Sequence, residues 1–158
     1  MKSVLLGSAA AVVLAMLAAG PAGAQENQFL GHWHWNKAKS TLAPGEPAPK
    51  DASAVVESAD GGTIRWTAVI VDQEGQTHTE RFNGKPDGTP YPVEGTNNVT
   101  AAFTWGNGML RSTFKGRNGG SDTQSCRVEA DAKTMTCHGT WTDGGGSTQN
   151  YVDVYDRV

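Results

Sequence analysis

Residues 98–115 read NVTAAFTWGNGMLRSTFK. Asn107-Gly108 at the centre is the strongest two-residue hairpin signal, because both residues accept a positive φ. A turn there sets Trp105 against Leu110, Phe103 against Ser112 and Ala101 against Phe114. The opposite face then pairs Thr104 with Arg111 and Thr100 with Lys115. Apolar residues gather on one side and polar ones on the other, as the register of a half-buried strand pair requires. The stretch TIRWTAVIV, residues 63–71, repeats the alternation and puts Ile64, Trp66, Ala68 and Ile70 on one face. Between Gly31 and Val158 no stretch shows apolar residues at the i, i+3, i+4, i+7 helical spacing.

Further hairpins extend this one in both directions. A three-residue loop at Asn118-Gly119-Gly120 sets Phe114 against Gln124, Ser112 against Cys126 and Leu110 against Val128. A turn at Asp131-Ala132 sets Val128 against Met135 and brings Cys126 directly opposite Cys137, close enough for a disulfide. A four-residue loop from Asp143 to Gly146 aligns Cys137 with Val152 and Met135 with Val154. Upstream, Asp60-Gly61-Gly62 pairs Val56 with Trp66 and faces Glu57 with Arg65. Gln73-Glu74-Gly75 then pairs Trp66 with Phe82, Ala68 with Glu80 and Ile70 with His78. Residues 37–51 and 84–97 are the two long connections. The expected fold is all-β: eight or nine antiparallel strands in an up-and-down, lipocalin-like barrel, which leaves few exposed edges. A barrel of about eight strands is either packed inside or holds one small ligand.

The first residues read differently. Lys2, an apolar run to Ala19, and Ala22-Gly23-Ala24 form a secretory signal peptide over residues 1–24, leaving one barrel domain over residues 25–158. The apolar run is short for a membrane span, and no second one follows, so no span is expected in the mature chain. Export in a bacterial setting, to the periplasm or outside the cell, suits a disulfide between the two cysteines. The net charge of -3, without a basic patch, excludes nucleic acid as the expected partner.

The stretch GHWHWNKAKSTLAPG, residues 31–45, carries Gly31-x-Trp33 near the mature N-terminus. Followed by an all-β meander, it resembles the start of lipocalins and their calycin relatives. The resemblance implies a Trp across the closed barrel end under a late basic residue, here Trp33 and Arg157. The longer pattern G-x-W-x-x-N-x-x-K-S-x-x-x-P-G is similar to the opening of a group of small exported bacterial proteins of unassigned function. Asn83-Gly84-Lys85, Tyr91-Pro92-Val93-x-Gly95 and the ending Val152-Asp153-Val154-Tyr155 extend the likeness over most of residues 29–158. It implies a lipocalin-like barrel and no catalytic residues.

The candidate site is the inward face. Trp33, Trp35, Trp66, Phe82, Phe103, Trp105, Phe114 and Trp141 are expected to point in, with Ser112, Gln124, Asn150, Ala68, Ala101 and Gly139 among them. Rings with small and polar neighbours describe a lumen for a hydrophobic or amphipathic molecule, or else a filled core serving a structural or interaction module. The lumen candidates are Trp66, His78, Glu80, Phe82, Phe103, Trp105, Phe114 and Gln124. An inward His78 and Glu80 would orient a polar group, or act as acid and base in a barrel enzyme. His32 and His34 share a strand face, but by parity it is the face away from Trp33 and Trp35, and no third ligand joins them, so no metal site is expected. No nucleophile, phosphate-loop or dinucleotide motif is present, and no cofactor is implied.

Overall fold

The structure is a computed structural model that describes residues 27–45 and 48–158. The signal peptide expected over residues 1–24 lies outside the described residues. A 3₁₀ turn, Asn27–Phe29, leads into ten strands: β1 Gly31–Trp35, β2 Asp51–Ala59, β3 Ile64–Val71, β4 Thr77–Gly84, β5 Tyr91–Pro92, β6 Thr100–Gly106, β7 Met109–Lys115, β8 Ser121–Val128, β9 Thr134–Thr142 and β10 Thr148–Arg157. They form one antiparallel sheet in the order β4-β3-β2-β1-β10-β9-β8-β7-β6-β5. First and last strands pair, so the up-and-down meander curls round on itself. An isolated bridge between Arg81 and Glu94 ties β4 to the chain after β5, with N–H···O distances of 3.0 and 2.9 Å. The barrel is therefore nearly closed. The tenth strand, β5, is two residues long and contains a proline, too short to show alternation in a sequence.

The β6–β7 hairpin pairs as its sequence dictates, Trp105 with Leu110, Phe103 with Ser112 and Ala101 with Phe114. Asn107 and Gly108 both have positive φ, 52° and 72°. The β3–β4 pairing also agrees, from Trp66–Phe82 through Ala68–Glu80 to Ile70–His78. Val56 faces Trp66, and a bulge then puts Ser58 opposite Arg65. Glu57, displaced into the bulge, still reaches Arg65 at 2.9 Å.

Two registers differ from expectation. The β7–β8 loop spans five residues, closed by Gly116 N–H to Gly120 O at 3.0 Å. Ser112 therefore faces Gln124, Leu110 faces Cys126 and Phe114 faces Asp122. A shift of two residues keeps every side chain on its face. The β9–β10 loop is longer too, but by one residue, closed by Asp143 N–H to Ser147 O at 3.0 Å. Here the change is odd: Cys137 faces Asp153 and Met135 faces Tyr155. Val152, Val154 and Asn150 leave the inward face, and Tyr151, Asp153, Tyr155 and Arg157 take their places.

Cys126 and Cys137 form a disulfide across β8 and β9, their Cα atoms 4.0 Å apart. Closing a loop of this length restricts the unfolded chain by about 3 kcal/mol. Urea unfolding of the reduced protein is expected to show a loss of that size relative to the oxidised protein; equal midpoints would mean that the cross-link is energetically idle.

Beneath the barrel, Trp33 is fully buried and its Nε1–H donates to Phe29 O at 2.8 Å. The Arg157 guanidinium lies 4.2 Å above the Trp33 ring. Arg157 also donates to the carbonyls of Leu30, Gln28 and Ala132, tying the chain start to its end. The pairing that the calycin resemblance implied is thus formed. Phe82 and Phe103 pack at 4.7 Å between centroids and Phe29 meets Trp105 edge-on at 5.4 Å, completing an aromatic plug at this end.

Candidate functional site

Above the plug the barrel is not filled. A cavity of about 370 Å³ is lined on one side by Ala54, Ala68 and Glu80, and on the other by Ser112, Gln124, Asp122 and the Cys126–Cys137 disulfide. Its floor and walls are apolar: Phe29, Val56, Ile64, Trp66, Phe103, Leu110, Phe114 and Met135. The space has a local cause. Ala54 and Ala68 are register partners on β2 and β3, and Ser112 faces Phe103 across β6 and β7. Three inward positions on these strands, Ala54, Ala68 and Ser112, thus carry side chains of one or two heavy atoms, where packing would require large ones.

The polar equipment comes from the row Ser112–Gln124–Gly139–Tyr151, which runs in register across β7, β8, β9 and β10. Gly139 is essential to it, since a Cβ there would lie 2.0 Å from the Tyr151 ring. The missing side chain lets Tyr151 lie across β9 and reach β8. Tyr151 O–H donates to Asp122 Oδ1 at 2.6 Å. Gln124 Nε2 donates to Asp122 Oδ2 and to Tyr151 Oη, both at 2.8 Å. Burial raises the Asp122 carboxyl above the ordinary carboxylate range, against the lowering effect of the Tyr151 and Gln124 hydrogen bonds. Burial and the bond to Asp122 push the Tyr151 hydroxyl far up, so it remains a neutral donor.

Glu80 stands on β4, on the opposite wall. Burial raises its pKa, and the nearby charge of His78 acts the other way. Asp153 lies in an adjoining recess of about 210 Å³ that shares Ile70 and Tyr155 with the cavity. It accepts a hydrogen bond from Trp35 Nε1 at 2.8 Å, and its pKa is raised first by burial and then by the charge of Asp122.

Among the residues expected to line the lumen, Trp66, Glu80, Phe103, Phe114 and Gln124 do so. Phe82 belongs to the plug instead, 1 % exposed and stacked on Trp66 at 5.8 Å. Trp105 packs against Phe29 and donates to Asp60 O at 3.4 Å, outside the cavity lining. His78 is the clear correction. It has inward parity but sits at the start of β4, half exposed, and meets Asp72 Oδ2 at 2.9 Å. Parity selects a face of the sheet; it does not say how far along the axis the barrel still encloses that face. His78 and Glu80 therefore do not share the cavity. His34 pairs with Asp51 at 2.8 Å on the outside. Among the described residues no three His, Cys, Asp or Glu side chains converge as metal ligands. Sequence reading missed Asp122, although its parity with Gln124 would have found it. It also missed Tyr151 and Asp153, which the one-residue slip in β10 hid.

Ten antiparallel strands in an up-and-down order, a Trp under an Arg at one end and a cavity at the centre make a nearly closed, lipocalin-like barrel fold. Solved structures share the fold, among them two with natural sequences. Wild-type fluorescent protein UnaG is 16 % identical with a TM-score of 0.53, covering 84 % of this chain and 98 % of its own. The zebrafish ileal bile acid-binding protein complexed with cholic acid is 14 % identical with a TM-score of 0.54, covering 83 % of this chain and 99 % of its own. At these identities the likeness is one of fold. No protein-family model and no curated protein sequence matches the chain.

Proposed function

We propose that the chain is an exported barrel, periplasmic or secreted in a bacterium, that binds one small, partly apolar molecule in its central cavity. The observation that carries the reading is the cavity itself. Its volume of about 370 Å³ lies within the ~300–1,000 Å³ of ligand clefts, and its lining is apolar with a few convergent polar groups. An apolar ligand gains roughly 25 cal/mol per Å² of surface taken out of water. Cholic acid in the zebrafish neighbour is a precedent for a small molecule within this fold. Export is supported by the signal-like residues 1–24 and by the disulfide, which persists in oxidising compartments.

Native mass spectrometry of the protein taken from its own host tests both parts at once. The expected species begins at Gln25 and carries a small-molecule adduct. Uptake of the neutral dye Nile red by stripped protein is the second readout. Ala68→Trp fills the space between β3 and the disulfide wall; it is expected to weaken dye binding at least tenfold while the melting temperature stays level or rises. Protein that carries no adduct and takes up no dye would leave a filled-core module as the better description, and undiminished binding by A68W would move the ligand elsewhere. A mature chain that still begins at Met1 would remove export.

A further inference from the structure

The cavity contains an electrostatic asymmetry. Its charged lining residues are Glu80 and Asp122, both acidic, and among the described residues no Lys, Arg or His lines it. The two stand on opposite walls, Glu80 on β4 and Asp122 on β8. Even-numbered strands run toward the Trp33 end, and both carboxyls occur in the first half of theirs, away from the plug. The region toward the plug is hydrocarbon and sulfur: Ile64, Phe103, Leu110, Met135 and the disulfide.

Each carboxyl retains capacity for a guest. Asp122 accepts one bond on each oxygen from Tyr151 and Gln124, and a carboxylate oxygen has two lone pairs. Among the described residues the Glu80 carboxylate accepts no hydrogen bond, and His78 is the charge that acts on it. A carboxylate drawn into an apolar cavity without a partner is costly, so the site gains from a guest that brings positive charge or N–H donors. A guest carboxylate would instead add like charge to both walls.

From this geometry we infer that the ligand class is a cationic amphiphile: an ammonium or amidinium head held between Glu80 and Asp122, with an apolar body lying over Phe103, Leu110 and Met135. The inference rests on the reading of the cavity as the binding site, and it sets this chain apart from the zebrafish neighbour, whose guest, cholic acid, is a carboxylic acid.

Three probes that differ only in the head group decide the matter: decylammonium, decanol and decanoate, titrated below their aggregation limits into the full oxidised protein, with Nile red displacement and calorimetry as readouts. The expected order is decylammonium at least tenfold tighter than decanol, and decanol tighter than decanoate. Glu80→Gln and Asp122→Asn are each expected to lower the ratio of decylammonium to decanol affinity about threefold or more, a charge-specific change that general loosening of the barrel, which would weaken both probes alike, would not produce. Asn at position 122 still accepts from Tyr151. If D122N nevertheless melts early, E80Q alone carries the comparison, since among the described residues Glu80 accepts no hydrogen bond. Decanoate binding as well as decylammonium, or a preference that survives in E80Q, would overturn the inference and leave the cavity reading intact. Failure of all three probes and of the dye would overturn both.

Discussion

Trp33→Ala is expected to destabilise the barrel by about 4 kcal/mol, the middle of the range for deleting a buried aromatic side chain. Three losses combine. The ring is fully enclosed, so its removal leaves a void that β1 cannot collapse into while β2 and β10 hold it from both sides. Phe29 O loses the indole donor at 2.8 Å and is left in a buried setting. Arg157 loses the ring 4.2 Å beneath it, and with it part of what orders the carbonyls of Gln28 and Leu30 around the guanidinium. Trp33→Phe separates these effects: it keeps most of the hydrocarbon and drops the donor, so a loss of about 1–2 kcal/mol is expected. Urea unfolding followed by far-UV circular dichroism measures both variants. A W33A protein within 1 kcal/mol of the parent would show that this end is not a structural plug.

Gly95→Ala is the second large effect, expected at about 3 kcal/mol. Gly95 has φ of +82°, a region that costs an L-residue roughly 1 kcal/mol. The larger problem is contact. A Cβ there would lie 2.0 Å from the Thr79 carbonyl oxygen and 3.1 Å from its carbon. These are backbone atoms of β4, fixed by pairing with β3, and they cannot swing aside as a side-chain tip can. The neighbouring residue Glu94 makes the bridge to Arg81 that draws β4 and β5 together. The substitution thus pries at the seam of the barrel. Amide exchange at Arg81 and Glu94 is expected to accelerate more than exchange at Cys126 or Cys137. Gly119→Ala is the control, since it has φ of +76° with nothing within 4 Å of the added Cβ, and it should show only the backbone cost. Equal effects for the two variants would rule out the contact as the cause.

The registers show where local information ends. Asn107-Gly108 specifies a two-residue turn because few other closures are open to it, and every β6–β7 pair follows from that turn. Asp131-Ala132 centres a four-residue loop, closed by Glu129 N–H to Thr134 O at 2.8 Å, that keeps the register a two-residue turn would give, and the cysteine pairing follows. The glycine-rich loops GRNGG and DGGGS differ. Each can close with several lengths at similar cost, and choosing among them is a matter for the strands beyond. An even error, at β7–β8, left every face intact. An odd one, at β9–β10, exchanged a valine face for Tyr151, Asp153 and Tyr155, and with it concealed the polar half of the site. Apolar alternation favoured the valines. In the folded barrel the space over Gly139 admits the Tyr151 ring, and Arg157 must face inward to cover Trp33.

What residues close in sequence could settle, they settled: the all-β class, the hairpins of narrow turns and the facing cysteines. These depend on period-two alternation and turn chemistry, both local. The tenth strand, the closing bridge between Arg81 and Glu94, the exposure of His78 and the empty volume bounded by Ala54, Ala68 and Ser112 belong to the tertiary structure alone. A cavity is a difference between the space that a closed sheet encloses and the side-chain volume that fills it, and that difference exists only once strands far apart in the chain face each other across the barrel.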